Sequence, residues 1–124
     1  MHRFHLILWN DERGTTAVEF AIVGPILIAL VIGGFYLCMA LLAVGSLHYA
    51  VEEGARCASV RTTVCSDATT IVSYANSRYF GPSSPTFDYV TAACGHSVSG
   101  ALDLPMELGL TQVTVPISAT ACFP

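Results

Sequence analysis

From Phe20 to Val51 the chain runs for 32 residues without an Asp, Glu, Lys or Arg, and Glu19 stands immediately before that run begins. So long an uncharged, predominantly apolar stretch is the mark of a helix that crosses a bilayer. At 1.5 Å per residue such a helix reaches roughly 48 Å, against a hydrocarbon core of about 30 Å, so it should cross the membrane and project beyond it. A carboxylate at the mouth of the run carries a solvation penalty of a few kcal/mol unless something meets it. The role of Glu19 is therefore the first question this chain raises.

The remainder is small. Of 124 residues, fewer than about 80 stay outside the lipid, too few to build a generous core without staples. Charged residues make up 11% of the chain, all five basic ones are Arg, and the formal charge is −4; with no basic patch, nucleic acid is excluded as a partner. Cys38 lies inside the apolar run, where it reads as a small buried hydrophobe. Cys57, Cys65, Cys94 and Cys122 lie beyond it. Four cysteines in a small polar region point to an oxidising compartment and two bridges, with three pairings that sequence does not separate. The favoured pairing joins Cys57 to Cys65, tying the helix end to the next loop, and Cys94 to Cys122, clamping two strands. No Cys pair has knuckle spacing, so disulfides are favoured over zinc, and neither metal nor cofactor is expected.

Along the chain, residues 1–14 form a polar leader, MHRFHLILWNDERG, with an apolar patch from Phe4 to Trp9. A long helix covers 15–63, its last turns carrying the Glu52/Arg56 pair at i,i+4 spacing and Gly54 as a weak point. Asp67 or Ser66 caps a second, shorter helix bearing Ile71, Val72, Tyr74, Ala75 and Tyr79, which Gly81-Pro82 terminates. Strands are predicted over Thr86–Ala92, Val98–Leu104 and Thr111–Thr120, with Pro105 and Pro116 restricting them to edges or breaks. The fold class is thus α+β: a long N-terminal transmembrane helix projecting into a small extracytoplasmic domain, residues 64–124, with a short helix and a small antiparallel sheet.

The segment RGTTAVEFAIVGP places Gly14 directly before Thr15, and Glu19 becomes the fifth residue of a chain cut after Gly14. A polar leader ending in Gly, a Glu at the fifth position and an unbroken apolar helix resemble the prepilin signal of type IV pilins and pseudopilins. AVEFAIVGPILIAL together with the later EEGARCAS resembles the TadE-like proteins of tight-adherence (Tad/Flp) pilus systems. Major Flp pilins usually follow the Glu with Tyr, whereas Phe20 stands here before a tail too long for a major subunit, which favours a minor pilin or pseudopilin. The resemblance implies a non-enzymatic, single-pass subunit of the bacterial inner membrane, its C-terminal domain periplasmic and open to incorporation in a surface pilus that serves adhesion. It implies as partners a prepilin peptidase, other pilins and pseudopilins, the Tad inner-membrane assembly machinery and the lipid bilayer.

Under that resemblance, cleavage leaves a new ammonium at Thr15, and Glu19 of one subunit can meet the amine of a neighbour, satisfying two charges in an apolar setting. The plainer reading places Glu19 at headgroup depth, favoured by the macrodipole at the helix N-terminus. Ala17, Ala21, Pro25, Ala29 and Gly33 recur every four residues, a small-residue stripe that lets helices approach closely in lipid, although small residues are common in any membrane helix. Pro25 removes one helical hydrogen bond and should loosen or kink the helix there.

Arg3 and Arg13 flank one end of the run and Arg56 and Arg61 the other, so the positive-inside count is level, and the cysteines decide for a C-terminal domain outside the cytoplasm. Tyr36, His48 and Tyr49 read as boundary anchors. GHSVSG, Gly95 to Gly100, is a near miss for a nucleophile elbow, with Ser99 where the last Gly belongs and no later His, and reads as a turn between strands. Two other readings stay open: a secreted disulfide-rich binding protein whose first 45 or so residues are a signal sequence, and a signal-anchored protein that never polymerises. Against the first, the apolar run far exceeds an ordinary signal core of about 7–15 residues, and Asp11 and Glu12 sit in the leader.

Overall fold

The structure is a computed structural model and describes residues 13–124. Most of the expected leader, with its Phe4–Trp9 patch, lies outside the described residues. One helix, α1, spans Arg13–Val60, 48 residues including Pro25, and the chain divides into two compact units between Phe35 and Tyr36.

In the first unit α1 carries apolar side chains on all sides, and they are exposed: Phe20 at 78%, with Ile22, Ile26, Leu27, Leu30 and Val31 also open. A helix satisfies its backbone polar groups within itself, which is what allows such a segment to leave water for lipid. Among the described residues α1 is the one helix long and apolar enough to cross a membrane.

In the second unit the same helix becomes one-sided. Ala43, Leu47, Ala50, Val51, Ala55 and Ala58 are buried, at the i,i+3/i+4 spacing of a single face. All of these but Ala50 join Ile71 and Ala75 of α2 (Ala68–Arg78), and Val98, Leu102 and Leu104 of β2, in one core. Leu47, Val51 and Val98 are fully buried, each worth about 1.5–3 kcal/mol relative to exposure. Gly54 makes the closest approach possible: a Cβ there would lie 3.1 Å from the Ala75 Cβ and 3.5 Å from the Val98 methyls.

α2 begins at a capping box. The Asp67 carboxylate accepts from the Thr70 N–H at 2.8 Å, and the Asp67 N–H donates back to the Thr70 hydroxyl at 3.1 Å, satisfying two donors that a helix start otherwise leaves open. Of the two caps the sequence allows, Asp67 is the one used. The helix stops at Arg78, with Tyr79 already extended, ahead of Gly81-Pro82.

The sheet is antiparallel in the order β1 (Thr86–Ala92), β2 (Gly95–Leu108), β3 (Thr111–Phe123). The α+β class and the small antiparallel sheet stand as the sequence predicts. Two strands run longer than predicted, and GHSVSG is not a turn: it forms the start of β2, pairing with both neighbours, with Ser97 and Val98 buried. The turn is Ala93-Cys94, and Gly95 takes the positive φ of 118° that closes it. Its small polar residues imitate a turn because β2 is central there, and crowding from both sides favours small side chains. At Gly100 a Cβ would meet the Phe87 ring and Leu47.

The prolines sit inside strands without breaking them. β1 pairs with β2 only as far as Ala101, so around Pro105 β2 has β3 as its single neighbour, and Pro116 lies on β3, whose other side is open. Proline is confined to strand positions whose N–H owes the ladder nothing, and both places qualify.

Candidate assembly site

Gly14, Thr15 and Glu19 occupy the first turns of α1, and all three are exposed. Among the described residues, a Cβ built on Gly14 meets nothing within 4 Å. The Glu19 carboxylate borders a shallow depression with Thr16, Phe20 and Val23. Ala17, Ala21, Pro25, Ala29 and Gly33 are likewise exposed, and Gly33 also has open space where a side chain would be. Helical spacing of four brings these small residues onto one slowly drifting face. Cys38, expected as a buried hydrophobe, is instead exposed on α1 and is the free cysteine, because no other described element covers that side of the helix.

The second unit holds its helix end with covalent and polar ties. Cys57 is bridged to Cys65 and Cys94 to Cys122. The first bridge closes the tight passage out of α1, where the Arg61 carbonyl accepts from the Cys65 N–H at 2.9 Å. The second joins the β1–β2 turn to the end of β3. His96, next to that bridge, bonds through Nδ1 to the Tyr89 hydroxyl.

Sequence reasoning misses the hub of this unit, Tyr74. Its hydroxyl accepts from Arg78 Nη2 at 2.8 Å and from Arg61 Nη1 at 3.3 Å, and donates to Glu53 Oε2 at 3.4 Å. The Arg78 guanidinium also lies 4.7 Å from the Tyr74 ring centre. This hydrogen bond, followed by the charge interaction with Tyr74, holds the Arg78 pKa above its ordinary value. The arrangement ties α1, the loop after it and α2 together around the EGAR segment. Nearby, burial pushes the Tyr79 phenol up, an effect the Ser46 hydroxyl partly offsets, and Tyr79 donates to the Pro82 carbonyl. Of the expected boundary residues, Tyr36 is half-buried and donates to the Glu107 carbonyl at 2.8 Å, Tyr49 packs obliquely on Phe80 with ring centres 6.2 Å apart, and His48 is exposed.

Among the described residues no group of three or more His, Cys, Asp or Glu side chains is placed to hold a metal ion. No curated protein and no solved structure matches the chain. Residues 14–56 match the family model described as TadE-like protein, which begins at the Gly14 that the leader motif singles out and ends at the Arg56 of EGAR. Over that segment the chain is similar to TadE-like proteins, and its exposed apolar helix fits a single-pass membrane anchor.

Proposed function

We propose that this chain is a minor pilin or pseudopilin of a Tad/Flp-type pilus assembly and secretion system. It is a non-enzymatic subunit divided into a leader (1–14), a transmembrane and protruding helix (15–63) and a disulfide-stapled periplasmic domain (64–124). A prepilin peptidase cuts after Gly14, and α1 then packs against the helices of other pilins and pseudopilins through the Ala17-Ala21-Pro25-Ala29-Gly33 face. Glu19 pairs with the Thr15 amine of a neighbouring subunit. The observation that carries this reading is the coincidence of the family match with the leader motif, a match opening at Gly14 with Glu19 five residues on, at the head of a 32-residue run free of Asp, Glu, Lys and Arg. Pairing converts two poorly solvated charges into one satisfied contact, which makes assembly favourable where the isolated subunit is not.

The secreted reading fits less well. A cut near Ser46 would sever α1 inside its buried face, discarding Ala43 and leaving Ser46 and Leu47, all buried, at a raw terminus. Two measurements test the proposal. The mature subunit's mass should correspond to a chain starting at Thr15; a start near Ser46 or an intact leader would refute it. Glu19→Ala should insert into the membrane normally yet fail to join the pilus or its assembly complex, as read by crosslinking and shear fractionation, and wild-type incorporation would remove the charge-pairing role.

A further inference from the structure

The two ends of the sheet differ in chemistry. One end, the Ala93-Cys94 turn, is small and bridged to Cys122. The other, the β2–β3 turn, is Gly109-Leu110, with Gly109 at φ 67° supplying the left-handed residue the turn needs and Leu110 fully exposed. A two-residue hairpin loop in water is ordinarily built from Gly, Asn and Asp. Here the outermost side chain is a leucine, and Val113 behind it is also exposed.

The tip's position along α1 gives this meaning. The Tyr36 hydroxyl donates to the Glu107 carbonyl, so the end of the hairpin lies level with Tyr36. The surrounding helix surface is apolar and open, with Leu37 at 61% and Leu41 at 63% exposure. A span of about 20 residues covers the hydrocarbon core, and counted from Phe20 it ends at Met39, beyond Tyr36. A hairpin tip at the level of Tyr36 therefore reaches the bilayer rather than bulk water. Its backbone polar groups suit that depth: the ladder is closed by the Leu108–Thr111 pair and the Glu107 carbonyl is taken by a tyrosine, which leaves few open groups at the tip.

We infer that the β2–β3 hairpin is a second membrane contact, inserting Leu110 into the outer-leaflet interface beside the helix and so fixing the tilt and rotation of the domain on the bilayer. The occupant of this apolar tip is phospholipid, because the exposed leucines of α1 that flank it already belong to a lipid-facing surface. The inference rests on the reading of α1 as a span.

Single-tryptophan variants of the full chain test both together. In a Trp9→Phe background, which removes the one native tryptophan, Leu110→Trp, Ala93→Trp and Leu30→Trp are reconstituted separately into phosphatidylcholine vesicles with and without brominated acyl chains. All three positions are exposed, so folding is not at stake. Leu30→Trp reports on the span and should lose most of its emission in brominated lipid. Leu110→Trp should be blue-shifted and strongly quenched, while Ala93→Trp, about 45 Å away along β2, stays unquenched by lipid and open to iodide. If Leu30→Trp is quenched and Leu110→Trp behaves like Ala93→Trp, the tip contact is refuted while the span stands. An unquenched Leu30→Trp overturns both. Protection of Leu110→Trp from lipid and iodide alike, growing with the protein-to-lipid ratio, would assign the tip to a second copy instead and also overturn the inference.

Discussion

Val31 and Val51 are the same side chain on the same helix, 20 positions apart, one 64% exposed and the other fully buried. The helix is continuous through both, so local propensity does not distinguish them. What differs is who completes the environment. Around Val51 the chain supplies its own partners, α2 and the sheet; around Val31 the described residues supply none. A single element thus serves as a core strut in one unit and as an unfinished surface in the other, and substitutions along it should separate cleanly into those that unfold the domain and those that impair its company.

The largest effects belong to the staples, which act only on the self-sufficient unit. Cys94→Ser/Cys122→Ser opens a loop of sequence separation 28 and Cys57→Ser/Cys65→Ser one of 8. The chain-entropy model assigns these roughly 3.5 and 2.5 kcal/mol respectively. Denaturant titration of the full chain in detergent micelles should rank them in that order, with helix content of the apolar segment unchanged in both. Equal effects would show that local tethering of the α1 end outweighs loop length.

Next comes the direct comparison along α1. Leu47→Ala empties a fully buried site and should lower domain stability by about 2–5 kcal/mol. Leu30→Ala removes an exposed side chain and should leave the same unfolding transition within about 0.5 kcal/mol of wild type. A comparable loss at Leu30 would mean that the two units share a core, and the contrast between Val31 and Val51 would lose its meaning.

That contrast is partly legible in the sequence. The uncharged run, Glu19 at its head, Gly14, the EGAR segment and β1 are local signals, carried by neighbours in the chain, and the order of residues alone is enough to locate each of them. The capping role of Asp67 is equally local and should cost about 1 kcal/mol when lost in Asp67→Ala, measured by denaturation. What escapes is non-local. The Tyr74 hub joins Glu53, Arg61 and Arg78 across three segments, and no spacing rule announces it. GHSVSG misleads because its residues resemble a turn when read alone, and only pairing on both sides reveals why they must be small. The apolar Leu110 tip gains significance only once Tyr36 is found beside Glu107.

The smallest effect is also the most specific to the closed unit. In the folded domain burial holds the Tyr79 phenol above its ordinary pKa of about 10, so the neutral form is favoured relative to the unfolded chain. The contribution is therefore fully present below pH of about 10 and is lost as pH rises through the folded-state pKa, where the unfolded chain has already released its proton. Tyr79→Phe removes the bond to the Pro82 carbonyl and should cost about 1 kcal/mol at neutral pH, but it also removes the titration. The stability gap between wild type and Tyr79→Phe, followed by denaturant midpoints from neutral to strongly alkaline pH, should therefore narrow as pH climbs past about 10. A gap that stays constant would mean that the phenol ionises as freely in the folded domain as in the unfolded chain, so that the packing of Ser46, Tyr79 and Gly81 is no drier than the surface around it.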